Sequence, residues 1–138
     1  MGWDPDSDGR AAAILYADIG GVLVMEGGEV FRRATRVPVD SAQDALTAAG
    51  VGADDVSLVV PDQANLPIIE SASTKLDIPM ERVAVNIERV GNTSSGSIPM
   101  ALDDVALHGR VRQGDPVMLG SFGTGMSWAG ALLRWDGA

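Results

Sequence analysis

Three short segments carry the side chains with most to offer chemically. Pro61-Asp62-Gln63-Ala64-Asn65 places a carboxylate and two amides where an apolar run gives way to a helical one, the edge of an α/β sheet at which functional side chains are usually displayed. Asp62 there reads either as a helix cap that satisfies free N–H groups or as a group that acts on a ligand. Asn86 to Ser97 is dense in small and polar residues, so it permits close backbone approach and presents Asn92 as an amide donor; helix entry and tight helix packing account for the same residues. Gly120-Ser121-Phe122-Gly123-Thr124-Gly125 is glycine-rich, but it lacks the lysine of a nucleotide-binding loop and does not open a helix. Pattern alone favours a tight turn there, with backbone N–H groups brought towards an acyl carbonyl as a second use. The sequence has no cysteine, hence no thiolate nucleophile. Its one histidine, His108, precedes Gly109 at the end of a helical pattern, where a capping or solvated role fits and a multi-histidine metal site is excluded.

These segments need a scaffold, and the apolar pattern supplies one. Ala11 to Ala17 and Val22 to Met25 flank Asp18-Ile19-Gly20-Gly21, which predicts two strands in a hairpin. Val30, Phe31, Ala34 and Val37 have helical spacing, and a second helix is expected from Asp40 or Ser41 to just before Gly50, with Pro38 breaking the run between them. Val56 to Val60 reads as a strand closed by Pro61, with a helix from about Asn65 to Leu76. Arg82 to Ile87 repeats the strand signal and Ile98 to Leu107 the helix, giving a second strand-loop-helix unit. Pro116 to Leu119 and Met126 to Trp135 read as terminal strands on either side of the glycine-rich segment. Only the first ten residues look like loop. Alternation of this kind argues for an α/β fold.

Composition bounds what such a fold does. At 138 residues the chain fits one domain, 1–138, with no linker or repeat, and 46% hydrophobic content against 21% charged is ordinary for a globular core. A net charge of -9 opposes binding to nucleic acid or anionic lipid. No apolar stretch is long enough to cross a bilayer and the N-terminus carries no secretory pattern, so the expected location is cytoplasmic.

Taken in order, PxQAN, GNTSxxSIP and a glycine-rich loop leading into WxxALLRW resemble the C-terminal half of the β-ketoacyl-acyl-carrier-protein synthase III family. The specific parts are Pro61 to Asn65, Gly91 to Pro99 and Phe122 to Trp135, supported by Met25-Glu26-Gly27, Glu29-Val30-Phe31 and Ser7-Asp8-Gly9. The resemblance implies one half of a thiolase fold: a mixed five-stranded sheet with helices on both faces. In this family a cysteine on the N-terminal half is acylated by acyl-CoA. A histidine and an asparagine on the C-terminal half then hydrogen-bond the thioester oxygen while malonyl-acyl carrier protein loses carbon dioxide, in fatty-acid or polyketide synthesis. By position, Asn92 matches the catalytic asparagine and Asn65 a residue near the pantetheine end of the substrate. Phe122 matches the aromatic of the glycine-rich loop, and Thr124 a small residue whose backbone N–H helps form the oxyanion hole. The implied partners are an acyl-CoA or pantetheine thioester and acyl carrier protein; no cofactor or metal is implied.

Three departures follow. Asp62 stands where the family has its histidine, and two unit charges about 4 Å apart at an effective dielectric of about 20 repel by roughly 4 kcal/mol, about three orders of magnitude in the rate of forming an enolate. Pro67 replaces a common arginine, which weakens attraction for acyl carrier protein. The segment between Gly9 and Met25 is short, altering the wall of the acyl tunnel. The expectation is therefore a half-enzyme without turnover of its own, or a non-catalytic acyl- or CoA-binding or structural half-fold. Either pairs as a homodimer or with an N-terminal half through the helix from Ser94 to His108, whose Ile98, Ala101, Leu102, Val105 and Ala106 have apolar spacing.

Overall fold

The two C-terminal apolar runs form the centre of the protein's main sheet, and the Val56 to Val60 run supplies the strand at one side of it. The structure, a computed structural model, describes residues 1–137. Strands β1 (Gly2–Ser7), β4 (Leu58–Pro61), β5 (Pro116–Gly123) and β6 (Ser127–Arg134) make a mixed sheet in the order β1-β6-β5-β4. β4 runs parallel to β5, and β6 runs antiparallel to both β5 and β1. β2 (Leu15–Ala17) and β3 (Leu23–Met25) form the separate hairpin expected from the Asp18-to-Gly21 turn.

Alternation along β4 assigns the two faces. Val59 points to a core shared with Val39, Ala42, Ala45 and Leu46 of α2 (Val37–Ala49) and Ile69 of α3 (Leu66–Lys75). Leu58 and Val60 point to the opposite core, with Val117 of β5 and Ala101 and Val105 of α5 (Ser97–Leu107). Helices thus cover both faces. A third cluster, Ala11, Leu15, Val30 and Met126, ties the hairpin and α1 (Gly27–Ala34) to the turn between β5 and β6.

Several elements differ from expectation, each for a local reason. The first ten residues are not loop: Gly2 to Ser7 pairs along β6, and Pro5 is tolerated because β1 is an edge strand. Gly9–Ile14 is a 3-10 helix, opened by the Asp8 carboxylate accepting the Arg10 N–H, so only Leu15 onwards is strand. Pro38 does not break a helix but lies in the first turn of α2, where no intrahelical N–H bond is needed. β5 continues through Ser121 and Phe122 to Gly123, and the turn is confined to Thr124–Met126. Among the described residues the sheet has four strands, not five, because Arg82 to Ile87 contributes one isolated bridge, Val59 to Val83, before a single helical turn, α4 (Ile87–Val90).

Candidate functional site

β4 ends at Pro61, and the Asp62 N–H still bonds the Gly120 carbonyl at 2.8 Å, which fixes Asp62 at the carboxyl end of the parallel pair. Asp62 is not a helix cap: Asn65 occupies the N-cap of α3, and its side chain makes no capping bond. Pro67 lies in the first turn of α3, exposed. Asp62 lines a cavity of about 910 Å³, and Asn92 and Ser94, which precede α5, line the same cavity. The Asn92 Oδ1 accepts the Ser94 N–H at 2.8 Å, which leaves the Asn92 NH₂ without a protein partner among the described residues. Ser94 is held at φ 52°, a left-handed conformation a non-glycine residue adopts only at a cost.

Phe122, across β5–β6 from Trp128, and Thr124 complete the wall towards the hairpin. All five residues singled out from the sequence, Asp62, Asn65, Asn92, Phe122 and Thr124, therefore line one cavity, which Leu23 and Met25 of the hairpin also border. Among the described residues lining it, Asp62 alone is ionisable. Burial pushes its carboxyl above the ordinary value of 3.8, against the opposing pull of the Ser97 hydroxyl and the Gln63 backbone N–H. Ser97, fully buried, also accepts the Thr93 N–H at 3.3 Å and so joins the start of α5 to the Asn92 turn.

A second concavity, about 710 Å³, lies where α1 and the start of α2 meet α3. It is lined by Arg10, Arg32, Arg33, Arg36 and Lys75, half of the chain's basic residues, against the two carboxylates Asp8 and Glu29. Arg33 bridges both acids, at 3.1 Å to Asp8 and 2.8 Å to Glu29, and Arg32 also pairs with Glu29. The Lys75 Nζ donates to the Thr35 carbonyl at 2.6 Å.

Residues 46–135 match the family described as 3-Oxoacyl-[acyl-carrier-protein (ACP)] synthase III C terminal. The chain belongs to this family. Among synthase III relatives, the β-ketoacyl-[acyl-carrier-protein] synthase III of Rhodopirellula baltica is 48% identical over 94% of this chain and 36% of its own length. The solved synthase III of Thermus thermophilus superposes with a TM-score of 0.93 at 44% identity, covering 99% of this chain and 46% of that one. The priming β-ketosynthase of the R1128 polyketide pathway gives a TM-score of 0.89 at 35% identity, covering 99% and 45%. The chain spans less than half the length of these relatives.

Synthase III membership accounts for the motifs read from the sequence, but three features of the site escaped that reading. Gln63, fully buried, makes four hydrogen bonds with groups up to 24 residues away. Ser97 reaches Asp62 only because α5 packs beside β4. The basic concavity was hidden by the net negative charge, although Arg32, Arg33 and Arg36 have the spacing of one helix face. His108 caps α5 as expected, its Nδ1 2.7 Å from the Asp104 carbonyl.

Proposed function

We propose that this chain supplies the carbonyl-binding half of a synthase III-type acyltransferase, taking the thioester end of an acyl-CoA or pantetheine substrate into the cavity between Asp62 and Asn92. The observation that carries the reading is the convergence of Asn65, Asn92, Phe122 and Thr124 on one largely apolar cavity with a free amide donor. In this scheme the Asn92 NH₂ donates to the thioester oxygen, where negative charge grows as malonyl-acyl carrier protein loses carbon dioxide, and the Thr124 backbone N–H helps form the oxyanion hole. Asn65 and Phe122 border the pantetheine. The acyl-accepting thiol comes from outside this sequence, which has no cysteine. The acidic acyl carrier protein docks at the Arg32, Arg33, Arg36 and Lys75 concavity, with Pro67 contributing nothing to the attraction.

Asp62 sets the limit on turnover. As a carboxylate it opposes the developing enolate and the sequence has no cysteine, so the chain on its own binds without condensing. This favours a second reading, a non-catalytic acyl- or CoA-binding half-fold, built on the same cavity and separated from the first by activity alone. Two experiments test the pair. Intact mass after incubation with acyl-CoA is expected to show no acyl adduct; stoichiometric acylation of Ser94 or Ser121 would overturn the scheme. In a complex with a cysteine-bearing N-terminal half, Asp62→His is expected to raise malonyl decarboxylation by about three orders of magnitude, and Asn92→Ala in that background to lower it again. Equal rates for Asp62 and the histidine variant would mean that Asp62 does not occupy the inferred catalytic position.

A further inference from the structure

Position 61 is where the parallel pairing of β4 with the Ala84–Asn86 segment has to stop. The Ala84 N–H bonds the Val59 carbonyl at 2.8 Å. In a continuing parallel ladder the next bond would run from the N–H at 61 to the Ala84 carbonyl, and the following one from the Asn86 N–H to the carbonyl at 61. Pro61 has no N–H to give. The Gln63 carboxamide fills both places. Its Nε2 donates to the Ala84 carbonyl at 3.1 Å and to the Pro61 carbonyl at 2.9 Å. Its Oε1 accepts the Asn86 N–H at 3.0 Å and the Ile87 N–H at 3.2 Å. The side chain is fully buried, and both donors and the acceptor oxygen are in use, as for a peptide unit inserted between two strands.

We propose that Gln63 is a positioning residue: a surrogate peptide that fixes the wall carrying Asp62 and Asn65 against the wall carrying Asn92, and so sets the width of the mouth that receives a thioester carbonyl. This rests on the reading of the cavity given above. A second link runs through Ser97, whose hydroxyl lies beside the Asp62 carboxyl and accepts the Thr93 N–H, but it ties side chains, whereas Gln63 ties the backbone. Asp62 and Asn65 follow Pro61 directly, whereas Asn86 and Ile87 open α4, whose end at Gly91 leads straight into Asn92. One amide therefore transmits the position of the β4 end to a donor 29 residues further along the chain.

The test uses the full chain, isotope-labelled, with acetyl-CoA as the probe. Gln63→Glu keeps the length and the acceptor oxygens but removes both donors and sets a carboxylate against two carbonyls. The expected result is a displaced side-chain amide signal for Asn92, which Gln63 does not touch, with the signal of Gln43 on α2 unmoved. Acetyl-CoA affinity is expected to fall about tenfold, and Asn92→Ala is then expected to cost less than about twofold in the Gln63→Glu background, as coupled residues behave. A folded Gln63→Glu chain with an unmoved Asn92 signal, or losses that simply multiply, would overturn the proposal. If Gln63→Glu does not fold, amide exchange in the natural chain decides: Asn86 and Ile87 are expected to exchange as slowly as the N–H groups of β5, and fast exchange there would sink the clamp. No acetyl-CoA binding by the natural chain, together with a displaced Asn92 signal in the variant, would remove the thioester reading and leave the clamp standing.

Discussion

At neutral pH the Asp62 carboxyl faces apolar and neutral polar side chains, so its charge is harder to hold in the native chain than in the unfolded one. Its native pKa is raised, which makes the sign of the linkage plain: the contribution of the bound proton to stability is complete below 3.8 and is lost as pH rises through the raised value. Asp62→Asn should therefore melt at a higher temperature than the natural chain at neutral pH, and the gap should close as pH falls below 3.8, where both side chains are neutral. A gap that is independent of pH in thermal unfolding would mean that Asp62 is well solvated. The half-buried acids paired with arginine behave oppositely. Asp8, Glu29 and Asp104 are held below their ordinary values by arginine partners, so whatever they contribute is present at neutral pH and fades on acidification. Asp62, Asn65 and Asn92 could be picked out from sequence because each lies in a distinctive local motif. Gln63 could not be ranked above its neighbours, since its importance comes from partners that only folding brings to it.

Between elements, the tightest approach is α2 against the sheet. A methyl group at Gly130 of β6 would come within 2.7 Å of the Ser41 carbonyl, and the Ser41 Oγ itself donates to the Asp4 carbonyl of β1 at 2.6 Å. Helix and strand thus meet backbone to backbone, with no flexible side chain to give way. Gly130→Ala is expected to destabilise by about 1–3 kcal/mol through the forced retreat of α2, read as a lower urea midpoint with an unchanged slope. An unchanged midpoint would show that α2 yields freely. The sequence located this helix but misplaced its start: proline is a helix breaker in general, and only the absence of an intrahelical N–H bond in the first turn makes Pro38 an opener. The Arg82 to Ile87 run failed differently. Its apolar pattern is that of a strand, but the ladder it would join is cut at Pro61.

For the molecule as a whole, exposed apolar surface is concentrated on the hairpin and its turn, at Ile19, Val22, Leu23 and Met25. The helix expected to mediate association is more self-contained than its pattern suggested. Ala101 and Val105 of α5 are buried, and Ile98, Leu102 and Ala106 pack against the same core, so Met100 and Leu107 are its exposed large apolar residues. Association, as a dimer or with an N-terminal half, is accordingly expected to bury the hairpin as well as the outer side of α5. Light scattering over a concentration series should show a mass rising above the monomer, and Leu23→Ser with Val22→Ser should return it to the monomer. A monomer that persists at high micromolar concentration and ignores an added N-terminal half would end both forms of pairing.

The sequence by itself determined the family, the α/β alternation, the hairpin and five residues of the cavity, because local periodicity and short motifs are written in neighbouring positions. Tertiary structure decided the rest. It turned Gly2–Ser7 into an edge strand, since β6 offered a free ladder that no propensity of Asp4, Pro5 or Asp6 announces. It gathered half of an acidic chain's cations into one concavity from α1, the N-cap of α2, α3 and a 3-10 segment. It also placed Asp62 where water is partly excluded, beside the Ser97 hydroxyl from another element. Each of these depends on contacts between segments tens of residues apart, and a residue's own type and neighbours carry no record of which distant backbone group or which dielectric it will meet.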